Sequence, residues 1–276
     1  MGVTIRLNVA VNSVTMTKRV EVALVQLKLA QEREAERLKR VDTLLAETKG
    51  ADLVLLPELW SVNCPGFSMS QAKAESLEGP TVSFLREKAV RLGSYLLGGT
   101  IIEKDGESLY NSAILIDPQG TVISKYRKSH LLGYRSEERR TLTPGNLVVT
   151  AMSDFGCLGI AVCYDLRFPE VFRSMAERGA EAFLITAAWP WSRAEAWEAL
   201  CAARAVENQG YTIACDACGR GFLGRSMVID PWGVRTASLG TREGLLRTEV
   251  DLQEVREFRA EFPAWSERRL ERGGSP

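Results

Sequence analysis

Short apolar runs alternate along the chain with stretches whose apolar positions recur at helical spacing. VEVALVQLKL (20–29) is rich in valine and leucine and reads as a strand. EREAERLKRVDTLLAETKG follows, with Leu38, Val41 and Leu45 on one helical face and Gly50 suited to the stop. ADLVLLPE predicts a short strand ended by Pro57. Thr81 to Leu92 predicts a second helix between Pro80 and Gly93. YLLGGTIIEK, SAILID, TVISKYRK and LGIAVC read as strands, FPEVFRSMAERG as a helix stopped by Gly179, and EAFLITAAW as a strand. AEAWEALCAARAVENQG reads as a helix, and YTIACDAC, RSMVID and LLRTEVD as the last strands. Strand–helix alternation with inserted hairpins predicts an α/β layered fold.

One internal similarity adds to this. AILIDPQGTVIS (113–124) and SMVIDPWGVRTA (226–237) each place an apolar strand, a D-P-x-G turn and a second strand in succession. Proline at the second turn position and glycine at the fourth suit a tight turn. Two such hairpins, one in each half, predict a pseudo-symmetric pair of sheets. With no Gly/Ser-rich linker and no low-complexity tract, residues 1–276 are expected to form one domain. Its core would span about 20–269, with 1–18 as a possible extension.

Composition narrows the partners. The chain has 276 residues, enough for a full core, and 35 basic residues balance 35 acidic ones without a basic run. Nothing in that balance favours a nucleic-acid or anionic-membrane partner. No apolar stretch approaches the roughly 20 residues of a membrane span, and the N-terminus lacks a secretory pattern. The six cysteines, Cys64, Cys157, Cys163, Cys201, Cys215 and Cys218, are then expected to be reduced thiols in a cytoplasmic protein.

Three reactive groups share one local setting. Glu58, Lys128 and Cys163 close the strands DLVLLPE, TVISKYRK and LGIAVC. Working groups of α/β proteins gather at strand C-termini, so neighbouring strands running the same way would bring carboxylate, ammonium and thiol to one mouth. There the carboxylate can take the thiol proton and the ammonium can stabilise the thiolate. The ammonium and the Tyr164 N–H can then face the oxygen of a tetrahedral intermediate. A sharp strand-to-helix turn at Cys163 would expose the sulfur. The plainer account makes Glu58 and Lys128 surface charges and Cys163 a core residue.

LVLLPELW, KYRKSHLL and GIAVCYDLRFPE resemble, in order and separation, the three catalytic motifs of the nitrilase superfamily of carbon–nitrogen hydrolases. LYNSAILIDPQG, TLTPG, RAVENQ and MVIDPWG fit as well, and the resemblance runs from about Val20 to Arg269. It implies a four-layer α-β-β-α sandwich with mixed sheets, assembled as a homodimer or higher homo-oligomer. It also implies Glu58 as general base, Lys128 as oxyanion-stabilising lysine, Cys163 as nucleophile and Glu138 as a second glutamate near the lysine. The implied reaction proceeds through a thioester on Cys163, without metal or cofactor. The substrate would be a small linear amide, as in the ω-amidase-like branch, or a nitrile or carbamyl compound. A non-catalytic small-molecule binding relative is the rival from another class. Glu138 can also be read as a loop charge beside Glu137.

Several residues carry two readings. Arg167 either holds a substrate carboxylate, as in some relatives, or pairs with Asp165 or Glu170. Trp189 either walls the acyl pocket or packs in the core. His130, the sole histidine, could form a Cys–His dyad, but no peptidase-type motif surrounds Cys163 and a structural role is the better reading. GRGFLG (219–224) precedes a strand, not a phosphate-cradling helix. Cys215-x-x-Cys218 lacks the second ligand pair that zinc requires. Arg204 and Glu207 are expected to make structural contacts.

Overall fold

The computed structural model describes residues 19–62, 71–265 and 267–269. The possible extension 1–18 and Cys64 lie outside the described residues. In chain order the elements are β1 Val20–Gln26, α1 Glu34–Ala46, β2 Leu53–Leu55, α2 Pro80–Leu92, β3 Tyr95–Asp105, β4 Ser108–Ile116 and β5 Val122–Arg127. Then come α3 Glu138–Thr141, β6 Thr150–Met152, β7 Cys157–Val162, α4 Pro169–Glu177, β8 Ala182–Ala187, α5 Ala194–Asn208 and β9 Tyr211–Asp216. The chain ends through β10 Cys218–Gly219, β11 Phe222–Leu223, β12 Met227–Ile229, β13 Arg235–Ser238, β14 Gly244–Val250 and α6 Leu252–Glu261.

Two six-stranded sheets follow the orders β14-β1-β2-β3-β4-β5 and β13-β12-β9-β8-β7-β6. Each has three parallel strands at its centre (β1-β2-β3, and β7-β8-β9). Each adds an antiparallel hairpin on one side, β4–β5 or β12–β13, and one antiparallel strand on the other. The two hairpins that resemble each other in sequence therefore occupy equivalent places. Their turns match in detail. Asp117 Oδ1 accepts the N–H groups of Gln119 and Thr121, and Asp230 Oδ1 those of Trp232 and Val234. The glycines that close them, Gly120 and Gly233, sit at φ of 82° and 88°, a region few other residues adopt.

Alternation along β1 shows how the layers stack. Val20, Val22 and Leu24 join a cluster with β7, β8 and β9, whereas Ala23 and Val25 join Val41, Leu45, Val82 and Leu85 of α1 and α2. On the far side Phe172 and Met175 of α4 and Trp197 and Cys201 of α5 cover the second sheet. The result is an α-β-β-α sandwich with mixed sheets, buried on both faces of each. Each aliphatic side chain fully removed from water there contributes about 1.5–3 kcal/mol before entropy is counted.

Helix ends largely obey local chemistry. Pro80 opens α2, and Gly93, at φ 67°, caps it by donating to Ala89 and Val90 carbonyls. The end of α1 departs from this, stopping at Ala46 with Glu47 as its cap, short of Gly50, and so does the end of α5. The left-handed cap there is Gln209 at φ 48°, one residue before Gly210. Its side chain explains the choice: Nε2 donates to Phe262 O and Oε1 accepts from Trp265 N, tying the segment after α6 to the helix end.

Candidate active site

Glu58 follows β2 on a turn built by its neighbours. Leu59 takes φ 50°, its N–H donates to Thr100 Oγ1 at 2.9 Å, and Trp60 Nε1 donates to Gly98 O at 2.8 Å. The register of β3 against β4 shifts between Leu97 and Thr100, at the Gly98–Gly99 pair. A Cβ on Gly99 would lie 2.1 Å from Pro57 O, so only glycine lets the turn approach this closely. The turn also bonds across the sandwich, from Glu58 N to Ala187 O at 3.3 Å.

Lys128 lies one residue beyond β5. Its N–H donates to Asn111 O on β4 and its carbonyl accepts from Gly145 N, within the TLTPG segment. The ammonium is buried and binds Glu58 Oε1 at 2.9 Å and Glu138 Oε1 and Oε2 at 2.9 and 3.0 Å. Asn111 Nδ2 joins the same two carboxylates, 2.8 Å from Glu58 Oε1 and 2.9 Å from Glu138 Oε1. Leu132 N–H completes Glu138 at Oε2, 2.8 Å away. Glu138 is thus no loop charge: it is buried against the lysine. Burial opposes the Lys128 charge, but Glu138 and Glu58 outweigh it and hold the pKa well above the usual lysine value.

Cys163 sits where β7 gives way to a single 3₁₀ turn, Cys163–Arg167, before Pro169 opens α4. Its φ is 45°, an uncommon conformation for a side chain of this kind and the signature of a sharp elbow. Four hydrogen bonds hold the elbow. Asp165 Oδ2 accepts from Val162 N at 3.1 Å and Tyr126 Oη at 2.9 Å, while Arg204 Nε and Nη2 both donate to Leu166 O. Burial and then Glu58 push the Cys163 thiol well above its ordinary pKa; Lys128 pulls the other way without winning. The Ala188 N–H, just after β8, donates to Glu58 Oε2 at 3.0 Å, and it also favours the Cys163 thiolate without overcoming burial.

The three strands are therefore not neighbours in one sheet. Glu58 and Lys128 come from the first sheet and Cys163 from the second, and they meet across the sandwich. The plain surface-charge account fails, since Glu58, Lys128 and Cys163 are 3%, 2% and 7% exposed. A cleft of about 850 Å³ opens beside them, lined by Ser129, His130, Tyr134, Arg139, Tyr164 and Phe168 among others, but not by the three themselves.

The remaining residues sort as follows. Tyr164 packs edge-on to Phe168 with ring centroids 5.4 Å apart. Arg167 lies over the Trp189 ring at 5.2 Å, and Asp165, one of its expected partners, is taken by Tyr126, Val162 and His130. Trp189 is buried beside Trp197 and donates its indole N–H to Arg193 O. His130 Nδ1 faces Asp165 Oδ1 at 2.8 Å and its ring stacks on Phe168 at 3.7 Å, so it braces the elbow. GRGFLG forms the β10–β11 hairpin, Cys215 and Cys218 are buried, and no metal-holding cluster occurs among the described residues. Arg204 and Glu207 pair at 2.7 Å. Sequence reasoning assigned no role to Asn111, although a buried asparagine in an apolar strand must find partners. It also missed Asp165 as the brace of the elbow.

No helix among the described residues is long and apolar enough to cross a membrane. The carbon-nitrogen hydrolase family model matches residues 21–260. The 2-oxoglutaramate amidase of Bacillus subtilis (strain 168) is 31% identical over 258 residues, covering 89% of this chain and 96% of that protein. Omega-amidase NIT2 of Homo sapiens is 32% identical over 262 residues, covering 90% and 94%. The fold is similar to that of XC1258 from Xanthomonas campestris, a CN-hydrolase superfamily protein solved with an arsenic adduct in its active site. The TM-score is 0.85 at 28% identity, over 93% of this chain and all of that one. The chain belongs to the carbon–nitrogen hydrolase family of the nitrilase superfamily and is an enzyme of that class.

Proposed function

We propose that the enzyme hydrolyses a small linear ω-amide through a thioester on Cys163. One observation carries the reading: Lys128 Nζ lies 2.9 Å from Glu58 Oε1, and both groups lie close enough to Cys163 to bias its thiol. The raised thiol pKa means that Cys163 rests protonated and needs a base at the moment of attack. Glu58 takes that proton as the sulfur bonds to the amide carbon. Of the three protons on Lys128, two answer the carboxylates and one is left for the developing oxyanion, beside the Tyr164 N–H. Collapse breaks the carbon–nitrogen bond, and the nitrogen leaves as ammonia with the proton from Glu58. Water then attacks the thioester, Glu58 takes its proton, and the carboxylic acid departs as the thiol reforms. Glu138 and Asn111 hold Lys128 in place, Trp189 walls the acyl pocket, and Arg167 above it offers a cation to a distal carboxylate.

The amidase relatives support an amide over a nitrile or carbamyl compound. The match of the family model across 21–260 supports a single domain. Exposed Val206, Trp232, Val234 and Phe262 support a homodimer, and the cytoplasm suits its free buried thiols. Ammonia release from a panel of amides, nitriles and carbamyl amino acids tests the substrate class. Trapping an acyl adduct on Cys163 by mass spectrometry tests the mechanism. Adduct on Cys215 or Cys218 instead, or release unaffected by Cys163→Ala, overturns it.

A further inference from the structure

Asp216 is a fully buried carboxylate that the mechanism above does not use. It ends β9 in register with Ala187, the last residue of β8. Its Oδ1 accepts the Trp189 N–H at 2.7 Å, whereas Oδ2 is buried with no hydrogen-bond partner. The next residue, Ala217, donates its N–H to Ala187 O at 2.9 Å. Two consecutive amides of one strand end are thus gripped by two buried carboxylates: Ala188 N–H by Glu58 and Trp189 N–H by Asp216.

We propose that Asp216 is a positioning residue, clamping the β8 end so that the Ala188 N–H stays aimed between Glu58 and the Cys163 sulfur. The clamp rests on the reading of Cys163 as nucleophile. Peptide planes 187–188 and 188–189 share the Ala188 Cα; the first is also held at Ala187 O by the Glu58 and Ala217 N–H groups, and freeing the second removes one further restraint on it. A rotated Ala188 N–H would leave the thiolate without its backbone donor and Glu58 without one of its anchors.

The clamping bond itself needs only an acceptor oxygen at Asp216 Oδ1. Burial, reinforced by Glu58, holds the Asp216 carboxyl well above the usual carboxylate range, against the pull of the Trp189, Ala217 and Gly224 N–H groups, and so favours the neutral acid. A neutral acid leaves Glu58 as the negative group beside the thiol and still accepts through its carbonyl oxygen. An unpartnered oxygen is tolerable on such a group and costly on a carboxylate.

The test compares Asp216→Asn and Asp216→Ala in two assays: amide turnover, and the pH dependence of Cys163 alkylation by iodoacetamide, located by mass spectrometry. Asp216→Asn keeps the acceptor and should stay within about threefold of wild type in both, with the alkylation profile unmoved. Asp216→Ala should slow alkylation about tenfold or more at neutral pH, shift the profile upward, and lower kcat by a similar factor with KM little changed. Should the alanine variant not fold, Asp216→Leu, which keeps the branch at Cγ without an acceptor, takes its place. Wild-type alkylation in the alanine or leucine variant overturns the clamp. Faster alkylation in Asp216→Asn overturns it too, since it would mean that Asp216 acts as a charge. Because alkylation does not depend on turnover, failure of the clamp is distinguishable from failure of the amidase reading.

Discussion

The N–H of Ala188 donates to Glu58 Oε2 at 3.0 Å and also favours the thiolate of Cys163, so base and nucleophile draw on one backbone donor. The arrangement ties the charge of the base to that of the nucleophile. While Glu58 is ionised it disfavours a thiolate, and once it has taken the proton the N–H and Lys128 are both free to serve sulfur. Glu58→Gln should therefore lower kcat about a hundred- to ten-thousandfold. Removing the carboxylate charge should at the same time lower the pKa of the Cys163 thiol, read from the pH dependence of iodoacetamide alkylation. An alkylation midpoint that does not move, or moves up, contradicts the coupling.

The cluster of Lys128, Glu58 and Glu138 has one cation for two carboxylates, all but excluded from water. Lys128→Met would leave two buried carboxylates facing each other. The cost should be about 3–5 kcal/mol, as for other broken buried pairs. Adding Glu138→Gln to that variant removes one of the two charges and should recover part of the loss, without restoring turnover. Urea denaturation of the single and double variants measures it. Equal stabilities would mean that Glu138 does not feel the lysine.

The strands and long helices were legible because their signals are local. Alternation in β1, the Pro80 and Gly93 punctuation of α2, and the paired D-P-x-G hairpins all depend on nearby residues. What was not legible depends on the far side of the sandwich. The order of strands places Glu58 and Cys163 in different sheets, which no spacing reveals. Gln209, not the neighbouring Gly210, caps α5 because of bonds to Phe262 and Trp265, more than fifty positions away. The helix α6 did carry a local signal, Leu252, Val255 and Phe258 behind the Asp251 cap, yet it is short and polar between those three. Three widely spaced motifs could be read as one site, but the Asn111 bridge and the Ala188 donor belong to geometry alone.

His130 tests the rival chemistry. Its Nδ1 is engaged by Asp165 and its ring lies flat on Phe168, so it braces the turn that carries Cys163 and does not serve as a base. His130→Ala should lower kcat by about tenfold or less, lower Tm, and leave the pH dependence of kcat in place. Asp165→Ala, which frees the Tyr126, Val162 and His130 donors together, should destabilise more. Loss of turnover by several thousandfold in His130→Ala, or loss of one limb of its pH profile, would favour a Cys–His dyad instead.

Glu103 connects acid stability to the strand that delivers Lys128. It is buried on β3 and accepts from Lys125 at 2.6 Å, Arg127 at 2.7 and 3.0 Å, and Ser112 at 2.5 Å. Burial alone would raise its pKa, but Arg127, Lys125 and Ser112 together bring it down to about 2. An unfolded glutamate titrates at about 4.3. The folded state therefore holds fewer protons between those limits. The resulting stability, up to about 3 kcal/mol, is fully present above the unfolded value and drains away as pH falls toward the folded one. Glu103→Gln lacks this contribution at every pH, so its deficit against wild type should be largest near neutral pH. The two denaturation midpoints should then converge as pH drops from about 5 to about 2. A gap that stays constant across that window would show that the Arg127 and Lys125 pairings do not set the carboxyl's charge. Because Arg127 immediately precedes Lys128, the variant's turnover should fall furthest below wild type near neutral pH, where the stability gap is widest, and the two should converge as pH drops.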